Sequence, residues 1–202
     1  MRYNSFRKHF TKEFPDMKRL FVAVPVQLSV SFTDIISKLQ KEFARDQIVW
    51  VKPELQHLTL RFLGQTPDSR LDSLKETLRE LSANSVPFEL LLDKIGVFGS
   101  RYAPTTLWFG FSHFEPFRTL FDHLEPKLKS IGFEPNYGNF VPHLTVGRIK
   151  RIDHKKKFTE QISTLQDSII PQTIKIDHID LIRSKLLPSG PQYTTLETFQ
   201  FL

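Results

Sequence analysis

Cysteine is absent from the 202 residues of this chain. Disulfides, thiolate metal sites and a cysteine nucleophile are therefore excluded together, and a reducing, cytoplasmic setting is the expectation. Glycine is scarce, at 8 residues, and no glycine-rich loop with a Lys-Ser/Thr pair is present to cradle a triphosphate. A His-Glu-x-x-His pair and clustered metal ligands are lacking too, so neither metal nor cofactor is expected. Apolar runs stay well short of the roughly 20 residues that span a bilayer, which argues against a membrane partner. Residues 1–17 are basic and aromatic without the apolar centre of a secretory signal. They read as a flexible extension ahead of a single domain over 18–202.

What the chain does have is phenylalanine, 19 residues of it, and a formal charge of +6. Hydrophobic residues at 40% and charged residues at 25% suit a soluble, well-filled globular protein, and a monomer is expected. A positive balance favours anionic partners such as nucleic acid or phosphate esters, although a basic surface also serves solubility.

Periodicity divides the chain into alternating strands and helices. The run Leu20 to Pro25 reads as a buried strand, Asp34 to Phe43 as a helix, and Ile48 to Val51 as a strand. His57 to Leu63 reads as a strand ended by Gly64, followed by a helix from Asp68 to Ser82 and a strand from Phe88 to Val97. The order then begins again with a strand at Thr106 to Phe111, a helix at Phe114 to Ile131, and a strand at Phe140 to Val146. A helix around Lys155 to Leu165, a strand from Ile174 to Ile182 and a closing strand from Tyr193 to Phe201 complete it. Leu20 and Leu107 stand 87 positions apart, His57 and His143 86, and Phe88 and Ile174 86. Three landmarks near one offset indicate a duplicated unit and a pseudo-twofold α+β fold with a cleft between its halves.

His-Leu-Thr occurs at His57 and again at His143. Alternate side chains share a strand face, so His57 and Thr59 point one way and Leu58 and Leu60 the other, into the core. The same holds for His143 and Thr145 against Leu144 and Val146. Set face to face, the two strands offer two imidazoles and two hydroxyls to one phosphate. In-line displacement at phosphorus needs a base for the nucleophile and an acid for the leaving oxygen; histidine serves either role near neutral pH, and threonine hydroxyls donate to the non-bridging oxygens. Arg148 lies five residues after His143. It can join that face only if Gly147 bulges the strand; otherwise it is a surface arginine at a strand end.

Three stretches, Lys18 to Pro25, Trp50 to Gly64 and Phe140 to Arg148, closely resemble the bacterial and archaeal RNA 2′,3′-cyclic phosphodiesterases. These are also called 2′-5′ RNA ligases and belong to the 2H phosphoesterase superfamily. The resemblance covers residues 18–202 and implies a bilobal fold of two antiparallel-rich sheets, helices outside, and both motifs in a central cleft. It implies metal-independent hydrolysis of RNA 2′,3′-cyclic phosphate ends to 2′-phosphates, with reversible 2′-5′ ligation as a further activity. By position, His57 becomes the general acid on the leaving 3′ oxygen and His143 the general base on water; Thr59, Thr145 and Arg148 hold the phosphate. Two alternatives stay open: an RNA-binding protein with little turnover, and a phosphodiesterase for another small cyclic or 2′-5′-linked nucleotide.

Phe62, Phe98, Tyr102 and Phe140 are candidate base-stacking groups, with core packing as the plainer reading of each. Lys150, Arg151 and Lys155 to Lys157 form a basic run that suits RNA phosphates or a solvated loop equally. His113, His123, His154 and His178 have no threonine two residues on, and His9, which has Thr11 there, stands alone in the N-terminal extension; all five are read as structural or surface groups.

Overall fold

A computed structural model describes residues 16–100, 102–136 and 138–202. Residues 1–15 of the expected extension lie outside them. Met17 already opens the first strand, and the Asp16 carbonyl accepts a hydrogen bond from the Asp68 amide at 2.9 Å. The first half runs β1 (Met17–Pro25), α1 (Val30–Glu42), β2 (Gln47–Trp50), a 3₁₀ turn (Pro53–Leu55), β3 (His57–Pro67), α2 (Leu71–Ala83) and β4 (Phe88–Ser100). The second runs β5 (Ala103–Phe111), α3 (Glu115–Ser130), β6 (His143–Arg151), α4 (Lys155–Gln166), β7 (Gln172–Ile176), β8 (His178–Leu187) and β9 (Gly190–Gln200).

Among the described residues the strands pair antiparallel in the order β7-β4-β5-β6-β3-β1-β8-β9, with β2 added along β6. The two expected sheets are the halves of this one sheet, joined where Leu58 faces Leu144. Leu144 is Leu58 moved by 86 positions, so the pseudo-twofold passes through this pair. The ladders revise the other two landmarks. Val22 faces Arg61 and Leu107 faces Gly147, which matches Leu107 to Val22 and not to Leu20. Phe88 faces Ile176 and Leu92 faces Gln172, which matches Phe88 to Gln172 and not to Ile174. A constant offset fails because the connections differ in length; α1 has 13 residues and α3 has 16.

Strand boundaries also differ from the expectation, and the strand expected over Phe140 to Val146 runs instead from His143 to Arg151. Gly64 does not end β3. Its φ of 71° is open to glycine, and there β3 carries one residue more than β1, with Leu20 facing Gly64 and Phe21 facing Phe62. The strand expected over Ile174 to Ile182 is broken at Asp177, where the chain changes neighbours. β7 pairs with β4 at one end of the sheet and β8 pairs with β1 in the other half. One residue therefore links the two halves, and the sheet curls into a half-barrel.

Helix stripes cover the outer face. Phe32, Ile35 and Leu39 of α1, Leu74, Leu78 and Leu81 of α2, Phe117, Leu120, Phe121, Leu124 and Leu128 of α3, and Phe158, Ile162 and Leu165 of α4 are buried. They meet Leu20, Val22, Val24, Leu58, Leu60, Leu144 and Val146 in one continuous core. Phe32 and Phe109 pack edge-on at 4.7 Å within it. On the opposite, concave face Phe21, Ala23 and Ile182 form a second small cluster. Burial on both faces explains why the middle of β1 is an unbroken apolar run.

Candidate active site

The two motifs lie side by side at the centre of the sheet, not face to face. Leu58 and Leu144 are fully buried on the core side and pair with each other, so the residues that flank them emerge together on the concave face. Antiparallel register sets His57 beside Thr145 and His143 beside Thr59. The two histidines thus stand in the diagonal relation, a spacing of roughly 7–8 Å, somewhat less at Cβ.

Each imidazole is oriented the same way. His57 Nδ1 donates to the Leu55 carbonyl at 2.7 Å, and His143 Nδ1 donates to the Val141 carbonyl at 2.8 Å. A carbonyl only accepts, so Nδ1 carries hydrogen and Nε2 is left free. The local chain makes this possible. The 3₁₀ turn ends at Leu55 just before β3, and Val141 precedes Pro142 just before β6; both carbonyls lie outside the ladder and are free to accept.

Arg148 reaches the same cleft through a bulge. Trp108 faces Thr145 and Leu107 faces Gly147, which leaves Val146 as the extra residue. Beyond it the alternation is reset: Gly147 and Ile149 are buried and Arg148 is exposed. Glycine is required at 147 by packing, since a Cβ there would stand 2.8 Å from Ile48 Cγ2 on β2.

Aromatic rings hold the imidazoles from the sides. His57 lies 5.0 Å from Phe21 and 5.3 Å, edge-on, from Tyr193. His143 lies 4.7 Å from Phe98 at 90°, and Phe98 leans on Trp108 at 5.2 Å. This burial lowers the pKa of both histidines, and the charge of Arg148 lowers both further against the opposing effect of each carbonyl hydrogen bond. Tyr193 is displaced the other way: burial raises its phenol, while Arg148 and Arg19 pull it back down.

The cleft over these groups has a volume of about 1000 Å³ and is lined by His57, Thr59, His143, Thr145 and Arg148 together. Among the described residues its cationic lining is Arg19, Lys52 and Arg148, against the carboxylate of Glu54. Phe62 and Phe98 also line it, but Tyr102 and Phe140 do not. Phe140 is a core residue, 8% exposed and stacked on Phe121 at 4.2 Å. The basic run lies outside the cleft and is partly neutralised: Arg151 pairs with Asp153 at 2.7 Å, Lys156 with Glu160 at 3.8 Å and Lys157 with Glu42 at 3.3 Å. His113, His123, His154 and His178 do not line it either, and His9 lies outside the described residues.

Sequence reasoning missed Arg19, Phe21, Lys52 and Tyr193 as cleft residues. Alternation along β1 sets Arg19, Phe21 and Ala23 on one face and carried a usable signal. Tyr193 gave none, because its place depends on β9 folding back along β8. Among the described residues no group of three or more His, Cys, Asp or Glu converges as a metal site requires, and no helix is long and apolar enough to cross a membrane.

The family model described as LigT like Phosphoesterase matches residues 22–108 and 112–193. The RNA 2′,3′-cyclic phosphodiesterase of Methanothermobacter thermautotrophicus is 33% identical over 184 residues, 90% of this chain and 98% of the relative. That of Methanocaldococcus jannaschii is 32% identical over 179 residues, 89% of this chain and 98% of its own. Among solved structures, TT0787 of Thermus thermophilus superposes with a TM-score of 0.72 at 25% identity, covering 91% of this chain and 97% of that one. E. coli LigT complexed with 3′-AMP shares the fold, with a TM-score of 0.71 at 20% identity over 92% and 99% of the two chains. The chain belongs to the LigT-like phosphoesterase family.

Proposed function

We propose that the protein hydrolyses RNA 2′,3′-cyclic phosphate ends to 2′-phosphates by paired-histidine acid-base catalysis without a metal. One observation carries the reading: both imidazoles give Nδ1 to a main-chain carbonyl, which leaves Nε2 free, and both line one cleft, each beside a threonine of the other motif. Water attacks phosphorus as its proton passes to His143 Nε2. The P–O3′ bond breaks on the opposite side, and O3′ takes the proton of His57 Nε2. The products are a 2′-phosphate and a 3′-hydroxyl. Thr59, Thr145 and Arg148 hold the non-bridging oxygens through the crowded transition state.

The lowered histidine pKa values suit the base directly, since His143 is neutral before substrate arrives. His57 gains its proton as the anionic phosphate enters, because a nearby negative charge favours the imidazolium. A 5′-hydroxyl in place of water attacks the cyclic phosphate in the same way, its proton passing to His143 while O3′ leaves with the proton of His57. The same pair would thus form a 2′-5′ bond, and reversal of that step exchanges the two roles. The relatives named RNA 2′,3′-cyclic phosphodiesterase support the substrate class. The test is turnover of a cyclic-phosphate-ended oligonucleotide in chelator. His57→Ala and His143→Ala should each lose about 10²–10⁴-fold in kcat. Near-wild-type turnover in either variant, or loss of wild-type turnover on chelation, would refute the mechanism.

A further inference from the structure

The pseudo-twofold that relates the motifs fails one step beyond them, and the failure has a direction. With the 86-position offset, Arg148 takes the place that Phe62 holds in the first half. Both line the cleft. One flank therefore offers a cation, and the other an aromatic ring 56% exposed, which suits a nucleobase face. Phe21 pairs with Phe62, and two residues back along β1 stands Arg19 on the same strand face. The strand rise makes that step about 6.6 Å.

Arg19 is half-buried, lines the cleft and has no carboxylate partner among the described residues. A guanidinium so placed is set for an anion arriving from outside. The wall continues past it. β8 runs beside β1 with Arg183 opposite Leu20, so its last residues, Leu186 and Leu187, extend the lining with apolar surface. The cleft volume of about 1000 Å³ stands at the upper end for small-ligand sites.

We infer that this flank continues the substrate site beyond the cyclic phosphate, with the terminal base on Phe62 and Arg19 taking the phosphodiester that joins that nucleotide to the one before it. This rests on reading the cleft as an RNA-end site, and it narrows the substrate to chains of at least two nucleotides. A free cyclic mononucleotide reaches Phe62 but lacks the phosphodiester that Arg19 takes.

Binding tests it without turnover, by titrating adenosine 3′-phosphate and the dinucleotide ApA carrying a 3′-phosphate. Wild type should bind the dinucleotide about tenfold or more tighter, as one charge-assisted contact predicts. Arg19→Gln should abolish that excess and Arg19→Lys should keep part of it. In wild type alone, the dinucleotide should show a salt slope steeper by about 0.7 in log-log terms, one more phosphate neutralised. Equal affinities and slopes in wild type, or an excess that survives Arg19→Gln, would overturn the inference. The two readings fail separately. Dinucleotide preference without hydrolysis refutes the proposed reaction alone, and hydrolysis without that preference refutes the subsite alone.

Discussion

Replacing Arg148 by methionine keeps most of the aliphatic stem and deletes the guanidinium whose charge acts on both histidines. Two consequences follow with separate signs. A charge-assisted hydrogen bond to phosphate contributes about 1.5–3 kcal/mol. Arg148 is exposed, so solvent screening favours the lower end, and kcat/KM should fall about tenfold to thirtyfold. The second consequence concerns pH. A cation disfavours the imidazolium, so its removal raises the pKa of His57 and of His143. The acid limb of kcat/KM, which follows loss of the base's proton, moves up; the alkaline limb, which follows loss of the acid's proton, moves up with it. The paired histidines titrate as a unit, so the limbs report the pair. Measuring kcat/KM from about pH 4 to about pH 9 on a cyclic-phosphate dinucleotide checks both. A tenfold loss with an unmoved profile would show that Arg148 does not act on the imidazoles, and a profile moved to lower pH would contradict the assigned electrostatics.

Gly96→Ala should lower stability by about 1–3 kcal/mol through overpacking, read as a lower midpoint in thermal or urea melts. Its Cβ would stand 2.3 Å from the Trp108 ring, which props Phe98 against His143; an unchanged midpoint would mean the ring is free to move. Phe140→Ala should cost about 3–5 kcal/mol as a cavity beside Phe121, without changing RNA affinity per folded molecule. Phe62→Ala should do the reverse, weakening binding with little effect on the melt. Loss of affinity in folded Phe140→Ala would return that ring to the cleft.

The motifs were legible because a strand has a period of two. Leu58 and Leu60 in the core leave His57 and Thr59 nowhere to point but the concave face, and Leu144 and Val146 do the same for His143 and Thr145. Arg148 was legible only conditionally, since five residues put it on the wrong face until Val146 bulges and Gly147 clears β2. Which strands meet was not legible. Leu58 facing Leu144 depends on two remote segments choosing each other, so facing strands and neighbouring strands looked alike. Phe140, whose plainer reading was core packing, could also be read as a cleft ring for a related reason: it precedes β6, and its direction is set by α3 packing against it. Tyr193 was invisible as a site residue because the β8–β9 hairpin, not its local sequence, carries it to His57.

In the proposed mechanism two imidazoles lining one cleft divide acid and base work across a single cyclic phosphate. Product analysis tests it most directly, with an oligonucleotide ending in a 2′,3′-cyclic phosphate incubated in H₂¹⁸O and chelator. Wild type should form a 2′-phosphate end carrying one ¹⁸O, and His57→Ala and His143→Ala should each lose it. A 3′-phosphate product, or a labelled 2′-phosphate that persists in either variant, would contradict it.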